Sequence, residues 1–392
     1  MPVLLYLLAV AVFAQGTSEF VLAGILPAIA DDLDTSLGQA GLLTSGFALG
    51  MIVGAPTMAA VSRRLSPRWT LTAFLAVFIA AHVLGAVTES FGVLLATRIV
   101  AALANAGFLA VALSTVTRIV APERHARALA VILSGTTLAL IAGVPVGAVI
   151  GEALGWRATL WAIALLCVPS LLAIVLATPA SRADAATPAI GGIRRELGAL
   201  RTRPVQLAIV AAVLVNAATF GTFTYLAAIA SRGTGVPEPL VPLLLAVFGV
   251  GAFLGVRAAG RFGDRHWRRL IAVTGPLLAA GWILLAVAVT QPVVLWALAL
   301  TQGALSFALG STLVTRIIAE APDAPTMGGS FATTALNIGA VVGPVVGGLA
   351  IDGLDLRGPV VVSAVLVGVS VVLHRVASRR LKRRARAVQT AG

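Results

Sequence analysis

Twelve long apolar stretches follow one another along the chain, and they constrain its fold more than any other feature. A stretch of about 18 or more apolar residues is long enough to cross a bilayer as a helix. With 59% hydrophobic and 11% charged residues, a water-soluble enzyme is excluded, because a soluble globule of this length cannot bury so much apolar surface. We therefore predict an all-α membrane protein with twelve transmembrane helices. The predicted spans lie at about residues 3–27, 38–61, 70–88, 92–116, 128–150, 158–179, 205–230, 239–259, 270–290, 292–315, 328–350 and 358–377.

The orientation in the membrane follows from the basic residues, which stay on the cytoplasmic side during insertion. Placing both termini in the cytoplasm puts most of the 28 Lys and Arg residues in cytoplasmic segments. Arg157, Arg232 and Arg357 fall in outer loops, and Arg98 and Arg257 fall within spans. The distribution predicts a multi-pass protein of the cell membrane with both termini cytoplasmic.

The two halves of the chain repeat each other. An offset of 201 residues aligns Gly50 with Gly251, and an offset of 199 residues aligns Pro145 with Pro344. A parallel repeat of this kind, related by an axis along the membrane normal, is typical of one large class of transporters. The predicted units are an N-terminal six-helix bundle at 1–180, a cytoplasmic linker at 181–204, a C-terminal six-helix bundle at 205–377 and a basic cytoplasmic tail at 378–392.

The net charge of +13 would indicate nucleic-acid binding only if the basic residues covered a folded polar face. Here they lie in short cytoplasmic loops and in the tail, so we expect contact with lipid and no nucleic-acid partner. The single cysteine, Cys167, lies in an apolar run and predicts neither a disulfide nor a metal site.

Two charged residues inside the membrane are candidates for function, because such residues are costly and normally face a cavity or a partner. Glu19 lies about 8 Å below the outer boundary of the hydrocarbon core, and Arg98 lies about 9 Å below it. The matching depths predict a proton-coupling pair or a water-bridged network. Asp31, Asp32 and Asp34, at the outer end of the first span, are the alternative proton site.

The loop after the eighth span has the sequence GRFGDRHWRR (260–269), which resembles the signature loop of the major facilitator superfamily, Gly-x-x-x-Asp-Arg-x-Gly-Arg-Arg. An Asp at a helix end can cap a neighbouring helix or pair with Arg. Gly260, Asp264 and Arg265 are therefore predicted to form a gating latch that holds one conformation and breaks in the other. The corresponding loop of the first half has Arg63 where the Asp belongs, so the latch is expected on one side only.

Small residues recur in the spans that would meet between the halves. In the fifth span, Gly143-x-Pro145-x-Gly147 resembles the antiporter motif of the same superfamily, and Gly343 and Pro344 repeat it in the eleventh. Smooth faces of this kind allow close helix packing, either as static contacts or as a moving surface. We predict a moving, gating surface between the halves. Glycines of the second and eighth spans would extend it, namely Gly46, Gly50, Gly54, Gly251 and Gly255.

Several further segments resemble the actinobacterial chloramphenicol resistance proteins, which are twelve-helix drug–proton exporters with the major facilitator fold. These segments are GTSEF (16–20), RIVAALANAGFLAVAL (98–113), LSGTTLA (133–139), VNAATFGTFTYLA (215–227), QGALSFALGSTLVTRI (302–317) and TALNIGA (334–340). The resemblance implies proton-coupled export of chloramphenicol by a monomer, conferring resistance. Arg98 corresponds to the fourth-helix arginine that such antiporters use near their proton site, although Ala101 and Ala102 replace the usual Gln and Gly.

An uncharged aromatic substrate needs an apolar pocket with a few hydrogen-bonding groups. The predicted substrate-binding residues are Asn105, Asn216, Phe220, Phe223, Tyr225, Gln302 and Ser306.

Alternatives remain for the activity. The same fold could export another small molecule, such as a sugar, a nucleoside or a broad range of drugs. A membrane enzyme would need clustered catalytic groups, and a channel would need charge rings or a filter loop; the sequence shows neither. It also lacks a Walker-type loop, so the proton gradient, with no cofactor or metal, is the expected energy source.

Overall fold

The computed structural model describes residues 3–62, 66–121, 124–177, 196–324 and 327–389, and within these ranges all regular structure is helical. In the first half the helices are α1 (Val3–Phe20), α2 (Leu22–Asp32), α3 (Leu37–Ser62), α4 (Pro67–Val87), α5 (Phe91–Ile119), α6 (His125–Leu138), α7 (Val144–Leu154) and α8 (Trp156–Ala177). In the second half they are α9 (Arg203–Phe223), α10 (Leu226–Ala228), α11 (Val241–Val287), α12 (Pro292–Glu320), α13 (Gly328–Leu354) and α14 (Gly358–Gln389).

The described helices include ten segments that are long and apolar enough to cross a membrane. An eleventh is added if the bent pair Leu4–Phe20 and Leu22–Asp32, which meet at 51°, crosses as one span. The segment Gly328–Val376 counts once, although it contains α13 and α14 with the 3-10 turn Asp355–Arg357 between them. The multi-pass architecture is thus confirmed, whereas the count of twelve and the cytoplasmic termini stay predictions.

Proline and glycine set several helix boundaries and breaks. Proline lies in the first turn of α4, α9, α11 and α12, where a missing N–H costs nothing. Pro145 cannot donate to the carbonyl of Ile141, and the preceding turn, Ala139–Gly143, is widened to a π-helix. Gly155 ends α7 with φ +85°, a conformation that favours glycine.

The segment 260–269 differs from the predicted loop. The helix α11 runs through it from the eighth span into the ninth, with non-helical backbone angles only at His266 (φ −124°, ψ 20°). Likewise, α14 continues into the predicted tail as far as Gln389. Of the predicted linker, residues 181–195 lie outside the described part; its end is tied to the second half, because the Glu196 carboxylate accepts a hydrogen bond from the Met327 backbone N–H at 2.9 Å.

The buried apolar side chains form two cores, one for each half. One core is built entirely from residues between Leu4 and Ile174. The other is built from residues between Ala199 and Val367, joined by a few from the first half such as Phe20 and Leu140. Large apolar side chains also cover the outside of the helices, as expected where a protein faces lipid. The boundaries of the two bundles stay predictions.

The halves meet through the four helices that were predicted to lie between them. The second span, α3, packs on the eleventh, α13, and the fifth, α7 with its widened turn, packs on the eighth, α11. The Ser45 hydroxyl on α3 donates to the Val341 carbonyl on α13 at 2.9 Å. At the other contact, Gly249 lies directly against the carbonyl of Leu140, where a side chain would collide with backbone.

The glycines expected at this junction lie elsewhere. Gly143 packs on α1, Gly147 packs on Val21 at the bend that follows α1 and on α8, and Gly343 packs on α9. The glycines of the second and eighth spans pack within their own halves too, namely Gly46, Gly50 and Gly54 on α5 and Gly251 and Gly255 on α12. In this structure these glycines therefore lie within the halves and not at the surface between them, and gating by Gly143, Pro145, Gly147, Gly343 and Pro344 stays a prediction. The four helices do meet there, but through other faces, because four-residue spacing indicates a smooth face without indicating which neighbour it contacts.

Candidate functional site

The first helix breaks where its polar residues lie. Between α1 and α2 the chain bends by 51° at Val21, and Ser18 and Glu19 lie in the last turn before the bend. Ser18 is completely buried, whereas Glu19 is half-buried and forms no ion pair within 4 Å among the described residues. The carboxyl of Glu19 is therefore free to take or release a proton without breaking an ion pair of this kind.

Arg98, on α5, lies beside this bend and is only 2% exposed. Its guanidinium donates to the Ser18 hydroxyl at 2.7 Å and to the Ser18 carbonyl at 2.6 Å. The same group lies 4.5 Å from the centre of the Phe47 ring, a distance typical of cation–π contact. A buried guanidinium needs such partners, so Arg98 is held in the interior rather than extended to the membrane surface.

The predicted proton-coupling pair of Glu19 and Arg98 stays a prediction. In this structure Arg98 bonds to Ser18, the neighbour of Glu19 in the chain. Ser18 was not singled out by the sequence, since serine is common in membrane helices and gives no signal by itself.

His82, on α4, completes the buried network and was also missed. Its Nε2 lies 2.7 Å from the Ser18 hydroxyl, and its Nδ1 lies 2.8 Å from the Phe78 carbonyl. The available signal was an ionisable residue inside an apolar stretch, the same signal that identified Glu19 and Arg98. Polar groups from three helices, α1, α4 and α5, thus converge at the bend.

A row of aromatic rings crosses from the first half into the second immediately beside Glu19. Phe20 on α1 lies 6.0 Å from Phe220 on α9, and Phe220 lies 6.3 Å from Phe223. Phe223 stacks at 4.8 Å on Phe248 of α11, which is 6.4 Å from Phe307 of α12. The predicted substrate residues Phe220 and Phe223 therefore belong to an apolar surface shared by both halves.

Two of the predicted polar residues have unused hydrogen-bonding atoms near these rings. Gln302 and Ser306 are one helical turn apart on α12, and both are buried. The Gln302 side-chain nitrogen donates to the Leu278 carbonyl at 3.0 Å, whereas its oxygen and the Ser306 hydroxyl have no partner among the described residues. Gln302 lines a small cavity with Phe223 and Phe248. Unpaired buried polar atoms are costly, so these two atoms are suited to hydrogen bonds with a polar ligand.

The remaining predicted substrate residues hold helices together. The Asn216 amide on α9 donates to the Leu336 carbonyl at 2.6 Å, and the hydroxyl of Tyr225, just before α10, donates to the Pro344 carbonyl at 2.7 Å; both acceptors lie on α13. The Asn105 amide lies 3.6 Å from the Met51 sulfur, between α5 and α3. These contacts engage the polar atoms in this state, and a role in substrate binding stays a prediction for all three.

The predicted latch is described only in part. The Asp264 side chain and Arg63 lie outside the described residues, whereas Arg265 is exposed and Gly260 has open space around it. The motif spans the kink of α11 at His266, with Gly260, Asp264 and Arg265 on the side of the eighth span. Gating by Gly260, Asp264 and Arg265 stays a prediction.

Ion pairs close the end of the molecule that the sequence predicts to face outward. Asp31 pairs with Arg232 of the other half at 2.5 Å, and Asp32 accepts hydrogen bonds from Arg157 and, at 3.2 Å, from Trp156. The carboxylates of this cluster are well exposed to solvent. Of the two possible proton sites, Glu19 and the Asp31–Asp34 cluster, Glu19 is half-buried and directly precedes Phe20, the first ring of the aromatic row.

Known proteins resemble this chain over nearly its whole length. It matches the Major Facilitator Superfamily at residues 8–329 and again at residues 234–391. It is 52% identical over 374 residues to the "Chloramphenicol resistance protein" of Streptomyces lividans, with 95% of each chain covered. It is 30% identical over 386 residues to the "Inner membrane transport protein YdhP" of Escherichia coli (strain K12), again with 95% of each covered.

A solved structure has the same fold. The crystal structure of a bacterial homolog to the human lysosomal transporter Spinster, in an inward-facing and unoccupied conformation, superposes with a TM-score of 0.78. The match covers 96% of each chain at 19% identity. Together with the sequence matches and the membrane-spanning helices, this fold shows that the chain is a multi-pass membrane protein and belongs to the major facilitator superfamily.

Proposed function

We propose that this protein exports chloramphenicol across the cell membrane in exchange for protons, by alternating access. The observation that carries the proposal is the adjacency of Glu19 and Phe20 on α1. Glu19 is an ionisable side chain inside the membrane segment, and Phe20 begins the aromatic row that joins the halves. A proton site and an apolar ligand surface therefore share one turn of one helix.

The substrate assignment is supported by chemistry and by similarity. Aromatic rings with the unpaired atoms of Gln302 and Ser306 suit an uncharged aromatic molecule that carries hydroxyl and amide groups. The relative from Streptomyces lividans carries chloramphenicol resistance in its name. Chloramphenicol itself has no charge, so it cannot displace the proton by ion pairing. It competes through shared space or through the conformation that protonation favours.

The coupling role of Arg98 follows from its position. A guanidinium near a carboxylate favours the ionised form, whereas burial favours the neutral acid. Protonation of Glu19 from the outer side would release the drug, and Arg98 would assist loss of the proton toward the cytoplasm. The contacts at Asp31–Arg232 and at Ser45–Val341 support a state of the cycle that is closed at the predicted outer end.

Expression of the protein is expected to lower the accumulation of radiolabelled chloramphenicol in cells several-fold. An uncoupler should restore accumulation while ATP stays high, because the proton gradient is the proposed energy source. The measurement is uptake of the labelled drug with and without expression, accompanied by the inhibitory concentrations of a small antibiotic panel. Equal accumulation in both cultures would refute the substrate assignment, and protection against a different compound would favour another cargo on the same fold.

The substitution Asp264→Asn tests the proposed latch. Asparagine keeps the oxygen that can cap a helix but has no charge to pair with Arg or to interact with the helix dipole, so we expect the transport rate to fall about tenfold or more while the amount of protein in the membrane is unchanged. The check is the initial rate of drug efflux, normalised to surface expression. The matched control is Arg63→Ala, at the corresponding position of the first half, which lacks the acidic residue. Wild-type efflux by Asp264→Asn would show that the motif only sets topology.

A further inference from the structure

In the buried contact between Arg98, Ser18 and His82, the donor and the acceptor of each hydrogen bond can be assigned. Arginine can only donate, so the Ser18 hydroxyl accepts from Arg98 and keeps its own hydrogen for another acceptor. The nearest acceptor is Nε2 of His82 at 2.7 Å. The backbone carbonyl of Phe78 can only accept, so Nδ1 of His82 carries the ring proton. The four groups form one chain of hydrogen bonds that runs from Arg98 through Ser18 and His82 to the Phe78 carbonyl.

This chain fits only a neutral imidazole. A proton on Nε2 of His82 would point at the Ser18 hydroxyl, which would then accept twice and lose the acceptor for its own hydrogen. It would also place an imidazolium next to a buried guanidinium. His82 is 3% exposed, so no solvent is at hand to compensate. The hydrogen bonds thus assign the neutral Nδ1–H tautomer.

One edge of the Arg98 guanidinium, at Nε, has no hydrogen-bond partner among the described residues. The Nε–H is buried, and Glu19, the next residue after Ser18, forms no ion pair among the described residues either. In this structure Arg98 is bound to Ser18, which His82 supports. Its unpaired Nε–H can take a further acceptor, and Glu19, the residue after Ser18, has the opposite charge.

We propose that His82, acting through Ser18, is a positioning residue that holds the Arg98 guanidinium away from Glu19 and so controls how readily the carboxyl keeps its proton. The inference rests on the proposed proton coupling and extends it to a third helix, α4. While Arg98 is held by Ser18, Glu19 keeps its proton easily. When Arg98 leaves for Glu19, the ionised form is favoured and the proton is released.

Arg98, on α5, is the charged residue in the hydrogen-bond chain of His82. On α1 the charged residue next to this chain is Glu19, which follows Ser18. On α8, Cys167 is an inert buried thiol, and Arg157 lies at the outer end in its pair with Asp32.

The test follows the protonation of Glu19 directly, by infrared spectroscopy of the full-length protein in lipid. The carbonyl band of the protonated acid is identified by its loss in Glu19→Gln, and its intensity is titrated with pH. In His82→Leu the acceptor for Ser18 is gone and Arg98 is released toward Glu19, so the midpoint should move about one pH unit toward acid. In His82→Gln, whose side-chain amide can still accept from Ser18, the midpoint should return toward the wild-type value. Arg98→Ala should move it in the opposite direction.

The control variant is Thr97→Val, which removes a buried hydroxyl next to Arg98 that bonds within its own helix, to Leu94. It should leave the titration unchanged. If His82→Leu does not reach the membrane, Ser18→Ala carries the same test, with a shift in the same direction. A midpoint that is unchanged, or that moves toward alkaline pH, in the tested variant would overturn the role of His82. Because the band is measured without transport, this failure is distinct from an absence of proton-driven export in the wild type, which would refute the proposed function.

Discussion

The variant Glu19→Gln is expected to exchange chloramphenicol across a membrane down its gradient and to have lost uphill export completely. Glutamine has nearly the shape of the protonated acid but cannot release a proton. The aromatic row beginning at Phe20 is untouched by the change, so the drug still binds and the halves still move. Transport is expected to be lost only when the drug must be moved against its own gradient at the expense of the proton gradient. The measurement compares counterflow with gradient-driven transport in proteoliposomes.

Two further variants give this prediction its controls. Glu19→Asp keeps an ionisable group one methylene shorter and should retain part of the uphill transport. Asp32→Asn changes an exposed carboxylate of the alternative proton site and should retain nearly all of it, because a surface ion pair is worth only about 0–1 kcal/mol. Loss of uphill export in Asp32→Asn, with full activity in Glu19→Gln, would move the coupling site to the outer end of α2.

A reversible cross-link between positions 31 and 232 is expected to abolish transport. Asp31 and Arg232 form an ion pair between the halves, so cysteines at these positions can be joined by a short bifunctional thiosulfonate, which forms a disulfide with each thiol and releases sulfinate. Joined in this way, the predicted outer end cannot open, and the drug has no exit. The native Cys167 is buried and should not react. The measurement is drug efflux before cross-linking, after it, and after reduction, which should restore the rate.

The same end of the protein offers a matched control for the cross-link. Asp32 and Arg157 form a similar ion pair, but both belong to the first half. A cross-link between cysteines at 32 and 157 joins two helices that move together and should leave transport largely intact. Efflux that continues at the normal rate with positions 31 and 232 joined would contradict alternating access at this end.

The membrane helices and the helices between the halves could be predicted because they depend on the apolar length of each span and on its place in the sequence repeat. The apolar length of a span fixes where a helix crosses, and the constant rise per residue makes the depths of Glu19 and Arg98 comparable from their positions in the sequence alone. The four helices expected to meet between the halves do so, α3 with α13 and α7 with α11. A sequence repeat relates whole helices to one another, so a local irregularity such as the π-turn before Pro145 does not change the relationship.

The contacts within the site could not be predicted because they depend on which face of each helix meets which neighbour. The glycine stripes indicated smooth faces, yet Gly143 and Gly343 pack inside the halves. Asn216 and Tyr225 had the chemistry of ligand contacts, but their polar atoms bind carbonyls of α13. The contact of His82 with Ser18 depends on which face of α4 is turned toward α1, and the sequence does not indicate that face.

The central claim is that drug movement and proton movement are coupled through Glu19. The measurement that tests it most directly is the pH change inside lightly buffered proteoliposomes when chloramphenicol is added outside, with no imposed gradient. The account predicts a proton flux opposite to the drug flux in the wild type and none in Glu19→Gln, at equal amounts of inserted protein. Proton movement of undiminished size in Glu19→Gln, or drug movement without any proton flux in the wild type, would contradict it.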